Sequence, residues 1–257
     1  MIQLKSPREI EIMAQGGAIL GGAIALMRRE VRPGISTWEL DRLAEEFIRS
    51  HEGAVPAFKG LYGFPGSVCT SLNQEVVHGI PSRKRVLAEG DIVSLDVGVK
   101  YQGYYTDSAV TVGVGEVSDE SRRLLDVTER SLAAGIAAAT VGSHIGDIGY
   151  AVQTLVEAAG FSVVRELVGH GVGMGPHEEP QVPNFGKPSR GLKLVAGLTI
   201  AIEPMVNVGT PKTRTLPDKW TVVTVDGKRS AHFEHTIAVT DAGPRILTPQ
   251  PVLVADA

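Results

Sequence analysis

Two runs of alternating apolar residues, 92–99 and 104–110, flank the short polar segment Lys100-Tyr101-Gln102-Gly103. That pattern predicts a β-hairpin. With the turn centred between Tyr101 and Gln102, Asp96 and Asp107 stand directly opposite each other on one face. Their Cβ atoms would then be about 5 Å apart. Two carboxylates so placed repel unless they are solvated or share a cation. Asp is also depleted in strands.

Helical spacing dominates elsewhere. Ser6-Pro7 followed by Glu9 reads as a helix start, and Ile10, Met13, Gly17, Leu20 and Ile24 keep near-helical spacing to about Arg29. The glycines of Gly16-Gly17 and Gly21-Gly22 cost a helix about 1 kcal/mol each, so another element is expected to pack closely there. After Pro33-Gly34, Ser36 or Thr37 caps a second helix to about Ser50, with Leu40, Leu43, Phe47 and Ile48 inward. Segment 55–58, a glycine-rich turn and a strand over 67–73 lead into the hairpin.

The same order returns in the second half. Residues 118–140 predict a helix, Gly142 breaks it, and 146–159 predict another with Ile148, Val152, Leu155 and Val156 inward. Strands follow at 161–164 and near 198–206, 219–225 and 231–239. A shift of 108 positions sets Gly34 on Gly142, Leu40 on Ile148, Phe47 on Leu155 and Ile48 on Val156. We read an internal duplication, about 1–115 and 118–257, inside one domain spanning 1–257. Its strands join one sheet and its four helices back one face, an α/β (α+β) architecture.

Composition narrows the class. The net charge of −4 gives no electrostatic case for nucleic acid or an anionic membrane, and the single cysteine, Cys69, excludes an intrachain disulfide framework. The charged start lacks a signal-type apolar core, and no apolar run reads as long enough to span a bilayer, so the expected location is the cytoplasm.

Ionisable groups stand where apolar ones are expected. His170 lies between glycines in Gly169-His170-Gly171, Glu203 ends the apolar run 198–202 just before Pro204, and Glu234 interrupts the run 231–239. Each alone could be a hydrogen-bonded structural residue. Together with Asp96 and Asp107 they give four carboxylates and one imidazole, the mostly oxygen donor set that suits two divalent ions. Such a pair, about 3.5–4 Å apart, can hold a bridging hydroxide, a nucleophile at neutral pH.

Asp96, Asp107, Gly169-His170-Gly171, His177-Glu178-Glu179-Pro180, Ile202-Glu203-Pro204-Met205 and Phe233-Glu234-His235-Thr236 occur in the order and flanks of the methionine aminopeptidase family, which the chain resembles from the first helix to Ile246. The resemblance implies a pita-bread fold with a mainly antiparallel sheet. It implies metal ligation by Asp96, Asp107, His170, Glu203 and Glu234, with Asp107 and Glu234 bridging, and Glu203 as a proton shuttle. His78 matches the histidine that contacts the scissile nitrogen, and His177 the one that hydrogen-bonds the scissile carbonyl. Only 25 residues separate the His177 and Glu203 motifs, and no Cys/His-rich extension precedes the first helix, as in the short bacterial type I form.

By position, Phe58, Leu61, Phe64, Cys69 and Trp220 would wall the methionine pocket. Phe58, Leu61 and Pro176 depart from residues common in the family. Asn73, Glu75 and Ser230 fall near the family's monovalent-cation loop. His51, His144 and His232 match nothing and read as solvated or structural, with His235 structural or supporting Glu234. The implied enzyme removes N-terminal methionine from nascent chains when the second residue is small. It uses Co, Mn, Fe or Zn, acts as a monomer, and has the ribosome as a further expected partner. The rival readings are a prolidase or aminopeptidase P, and a binding homologue without catalysis. Prolidases usually carry a large extra N-terminal domain, and a binding homologue is expected to have lost ligands that all stand here.

Overall fold

The computed structural model describes residues 2–250; Met1 and residues 251–257, the ends of the expected domain, lie outside them. Helix α1 (Pro7–Glu30) starts at a capping box in which Ser6 accepts from the Glu9 N–H and the Glu9 carboxylate accepts from the Ser6 N–H. A Cβ on Gly17 would lie 1.9 Å from the Leu247 carbonyl oxygen, and one on Gly22 would meet the Phe47 ring at 2.7 Å. The glycines therefore mark close approach, as the spacing predicts. Contrary to expectation, α1 is long and apolar enough to cross a bilayer by length and composition. Met13, Leu20, Ile24 and Met27 are nevertheless buried inside the fold.

Helix α2 (Thr37–Arg49) repeats the capping box with Ser36 and Glu39. It buries Leu40, Ala44 and Ile48, while Leu43 and Phe47 are only partly covered. After β1 (Ala54–Pro56), a single 3₁₀ turn (Leu61–Gly63), β2 (Val68–Leu72) and β3 (Glu75–Val77) come the hairpin strands β4 (Ile92–Tyr101) and β5 (Tyr104–Gly113). Helices α3 (Asp119–Ala138) and α4 (Ile145–Ala158) precede β6 (Ser162–Val163), β7 (Gly169–Gly171), β8 (Glu178–Val182), β9 (Thr199–Ile202) and β10 (Met205–Asn207). The chain continues through β11 (Thr213–Thr215), β12 (Val222–Thr224), β13 (Ser230–His232), β14 (Glu234–Thr240) and β15 (Gly243–Ile246).

The main sheet runs β1-β4-β5-β14-β9-β7-β8, with β2 beside β4 and β15 beside β14; its pairs are antiparallel. Strands of the two halves meet where β5 pairs with β14. Two three-stranded sheets, β13-β10-β6 and β11-β12-β3, complete the fold. The expected strands at 198–206 and 231–239 are each two strands, broken at Glu203-Pro204 and at Phe233. Proline there cannot donate to the ladder, and the Pro204 carbonyl instead accepts from the Phe233 N–H.

The hairpin register differs from expectation by two residues. Tyr101 pairs with Tyr104, so Asp96 faces Ala109 and Asp107 faces Gly98. Gln102 and Gly103 form the two-residue loop with φ of 47° and 93°, the left-handed pair of a type I′ turn. An offset of two keeps both aspartates on one face. On β4, Val93, Leu95, Val97 and Val99 join the core with Leu20, Ile24 and Ile48 of the first helices and with Ile136, Ile148, Ile200 and Ile237 of the second half. Ser94, Asp96 and Gly98 point the other way, and there the cavity lies.

Candidate metal centre and substrate cavity

One cavity of about 290 Å³ collects every residue that the sequence reading places in the active site: Asp96, Asp107, His170, Glu203 and Glu234, His78 and His177, and Phe58, Leu61, Phe64, Cys69 and Trp220. Strand pairing explains the acidic end. Asp96 faces Ala109, and Ala109 faces Glu234 on β14, so three neighbouring strands deliver these positions in one row. The Asp107 N–H donates to the Thr236 hydroxyl, which donates back to the Asp107 carbonyl, locking β5 to β14 at this level.

His170 enters from β7. A Cβ on Gly169 would lie 2.4 Å from the Ala201 carbonyl oxygen, and one on Gly171 would lie 2.3 Å from that of Glu179. Glycine on both sides lets β7 fit between its neighbours. His170 Nδ1 lies 2.9 Å from the Gly171 carbonyl oxygen, which can only accept. Nδ1 therefore carries a proton, and Nε2 faces Glu203, 3.6 Å from Oε1. Glu203 follows β9, and its carbonyl accepts from the amide of buried Asn184.

Electrostatics mark this end as a cation site. Burial pushes the Asp107 and Glu234 carboxyls well above the carboxylate range, reinforced by Asp96 for Asp107 and by Asp107 for Glu234. Burial raises Asp96 to about 6, partly offset by the nearby His232 imidazole. Oδ1 of Asp96, Oδ1 of Asp107 and Oε1 of Glu234 are buried with no hydrogen-bond partner among the described residues. Ligand atoms of Asp107, His170 and Glu234 lie within 4.8 Å of one another. Orphaned carboxylate oxygens converging with an imidazole fit a divalent cation.

The remaining groups surround that end. The His177 and His170 rings meet edge to face at 4.6 Å. Burial and then the His170 neighbour hold His177 down to about 4, and burial lowers His78 as well. The apolar end is built from Phe58, Phe64 and Cys69, with Leu61 and Trp220 against them; Phe64 meets Trp220 at 5.1 Å. Burial and Asp96 raise the Cys69 thiol well above its usual range.

One placement differs from the sequence reading, and one adds to it. His232 is not solvated: it lines the cavity at 2% exposure, with Nε2 3.6 Å from Glu203 Oε2 and 3.8 Å from Glu234 Oε2. Tyr62 also lines the cavity, its exposed ring stacked 6.1 Å from His177. In the expected cation loop, the Asn73 carbonyl accepts from the Ser230 N–H, while the Glu75 carboxylate is paired with Arg85 and accepts from the Leu72 N–H. Elsewhere, His51 and His235 bond structurally to the Phe47 carbonyl and the Thr248 hydroxyl, and His144 caps α4.

A curved antiparallel sheet that brings four carboxylates and an imidazole to one buried point defines a metal-dependent hydrolase, and residues 11–241 match the model of metallopeptidase family M24. The chain belongs to this family, among its methionine aminopeptidases. It is 54% identical over 248 residues to the methionine aminopeptidase of Clostridium perfringens and 53% identical to methionine aminopeptidase 1 of Bacillus subtilis, with 96% of this chain and 99% of each relative covered. A methionine aminopeptidase structure from Thermotoga maritima superposes with a TM-score of 0.95 at 46% identity, covering 96% of this chain and 99% of that one. A prolidase from Pyrococcus horikoshii shares the pita-bread fold at 22% identity, with a TM-score of 0.79 over 98% of this chain and 65% of its own. The family binds divalent metal.

Proposed function

We propose that this chain removes N-terminal methionine from newly made polypeptides when the second residue is small. The observation that carries the reading is the two-ended cavity: a buried acid-and-imidazole cluster at one end, an apolar wall at the other. Asp96, Asp107, His170, Glu203 and Glu234 would hold two divalent ions of the Mn, Fe, Co or Zn group, which would offset the four carboxylates. When bound, they supply Lewis acidity and a water acidic enough to be a nucleophile at neutral pH.

The chain's own groups do the rest. Phe58, Leu61, Phe64, Cys69 and Trp220 take the methionine side chain and exclude water from it. His177, kept neutral by burial, donates its ring N–H to the scissile carbonyl oxygen as negative charge develops there. Glu203 accepts a proton from the attacking water and returns it to the leaving nitrogen, beside which His78 is placed. The enzyme works as a cytoplasmic monomer near the ribosome. The arrangement of four helices and their strands supports one domain made from two copies of a unit, 1–115 and 118–257.

The test is hydrolysis of Met-Ala-Ser with the metal-loaded and the exhaustively chelated protein. Metal-dependent release of methionine is expected. Equal cleavage of Met-, Leu- and Lys-initiated peptides overturns the assignment.

A further inference from the structure

Lys5 is a charged residue in the segment before α1, yet it is buried. No step of the reaction uses it. Its backbone N–H donates to the Gly197 carbonyl at 2.7 Å, which fixes the segment against the turn before β9. The side chain then runs past Gly173, where a Cβ would lie 2.1 Å from Lys5 Cε. Only glycine leaves the stem that path. At its end the ammonium donates to the Gln3 carbonyl and to the Glu178 carboxylate. The side chains of this pair are 3% and 16% exposed, against 46% and 56% for a surface pair such as Arg245–Glu11. Salt screens so covered a pair little, and removing one partner leaves the other charge uncompensated.

Glu178 directly follows His177 and begins β8. Its Oε2 takes the Lys5 ammonium, while Oε1 accepts from the Gly175 N–H at 2.8 Å. One carboxylate thus closes the turn 173–178 and ties it to the segment before α1. His177 needs that tie. Its ring stands edge to face with His170 and lies parallel to the exposed Tyr62 ring, and it makes no hydrogen bond among the described residues. The β7–β8 ladder also breaks register between His170 and Gly171, where Gly171 faces Glu178. Neither bonds of the ring nor regular strand pairing aims the His177 N–H, so the backbone of the turn does.

We propose that Lys5 is a positioning residue for the reaction: through Glu178 it holds the turn that carries His177, and so aims the His177 ring at the scissile carbonyl. This rests on His177 acting at that carbonyl. Lys5 and Glu178 are not among the residues that line the cavity, so their effect passes through His177 and not through contact with substrate. A ring displaced by about an ångström loses a bond that matters chiefly in the transition state, which lowers kcat and leaves KM nearly unchanged.

The experiment is steady-state hydrolysis of Met-Ala-Ser by the metal-loaded protein, with metal content measured by atomic absorption and folding checked by circular dichroism. Lys5→Met, Glu178→Gln and His177→Ala are compared with the doubles that join each of the first two to His177→Ala. Glu178→Gln keeps the shape of the side chain and tests the link from its other end should Lys5→Met fail to fold. Each of these two single variants is expected to lower kcat about 10- to 100-fold, with KM and metal content near the wild-type values. In the His177→Ala background the same substitutions should cost no more than about twofold, because the group they position is gone. Arg245→Met, which breaks an exposed pair, should keep the wild-type kcat. A wild-type kcat in folded Lys5→Met, or in Glu178→Gln where Lys5→Met does not fold, overturns the proposal. So does an equal loss with and without His177, the result that a merely structural pair gives. A wild-type kcat in His177→Ala overturns the role of His177 itself, and the proposal with it.

Discussion

Asp107 faces Gly98 across the β4–β5 hairpin, and the Phe58 ring occupies the space that a side chain at Gly98 would need. A Cβ there would lie 2.6 Å from Phe58 Cε1 and 2.9 Å from Ala57 Cβ. One hairpin position therefore joins the two ends of the cavity, with a cluster carboxylate on one strand and an apolar wall residue held against the other. Gly98→Ala should push Phe58 into the pocket. We expect kcat/KM for methionine peptides to fall about tenfold or more, mainly through KM, the scale of a methylene-sized misfit in an apolar pocket. Metal content measured by atomic absorption should stay at the wild-type level. Loss of metal in this variant would show that the strand, and not the wall, had moved.

Asp107→Asn keeps the shape of the side chain and removes its charge. Asp107 is buried beside Asp96 and Glu234 and offers an oxygen to the cluster with His170. The variant should bind metal weakly and lose turnover. Full activity, or retention of both equivalents after dialysis, would take Asp107 out of the ligand set.

Metal removal should change the sign of the pH dependence of stability. Without metal, burial lifts Asp96 to about 6 and Asp107 and Glu234 well above the carboxylate range. A carboxyl with a folded pKa above its unfolded one binds more protons in the folded state. Its contribution is therefore fullest at low pH and is lost as pH rises from about 4 through about 6. Glu9 runs the other way. The Ser6 hydroxyl and N–H hold it at about 2, against 4.5 unperturbed, so its contribution is full above 4.5 and is lost as pH falls from there through about 2. The chelated protein should melt at a lower temperature at about pH 7.5 than at about pH 5, and the metal-loaded protein should not. Parallel melting curves would mean that the cluster carboxylates are not strained by burial.

The cap residues and apolar spacing located the starts of the first two helices, all four helices and the hairpin, because each rests on short-range signals. What escaped them depends on backbone states that the sequence marks weakly. Gln102 takes φ of 47° in the type I′ loop, where Asn or Gly would have announced the turn, and the register moved by two. Tyr62, at φ of 50° in the glycine-rich segment, belongs to no periodic run, so its stacking on His177 left no trace in the pattern. His232 did leave one. It stands two residues before Glu234, the same-face spacing of a strand.

His177 contacts the cluster through the His170 ring and is absent from the close group formed by Asp107, His170 and Glu234. If its N–H stabilises charge on the carbonyl oxygen, His177→Ala should lower kcat by about 10²–10³-fold, the scale for losing one such donor. Metal stoichiometry should be unaffected. A large loss of bound metal would instead make His177 part of the coordination shell.

If the scissile bond is held by His78 and His177, the second residue of the substrate lies beside His78 and the stacked His177–Tyr62 pair. All three line the cavity, and His78 is held edge-on to Trp220 at 6.4 Å, with its backbone at φ of 61°. A non-glycine residue in that region is strained and stays there only where surrounding packing fixes it. His78 therefore has little freedom to move aside for a bulky neighbour. To reach the scissile nitrogen it must come within about 3 Å of the departing chain, which leaves room for little beyond Val at the next position. Close-packed sites reject extra volume steeply, at about 1–3 kcal/mol for overpacking. Gly, Ala, Ser, Thr, Cys, Pro and Val should be accepted after methionine, and Lys, Arg, Phe and Trp refused. The comparison is kcat/KM for Met-Ala-Ser, Met-Lys-Ser and Met-Trp-Ser with the wild type and with Tyr62→Ala. The wild type should prefer the first peptide by about 10-fold or more, and Tyr62→Ala should narrow the gap by opening the outer side alone. Similar values for all three peptides in the wild type would refute the crowding argument. A preference confined to Pro in the second position would point to an aminopeptidase P activity.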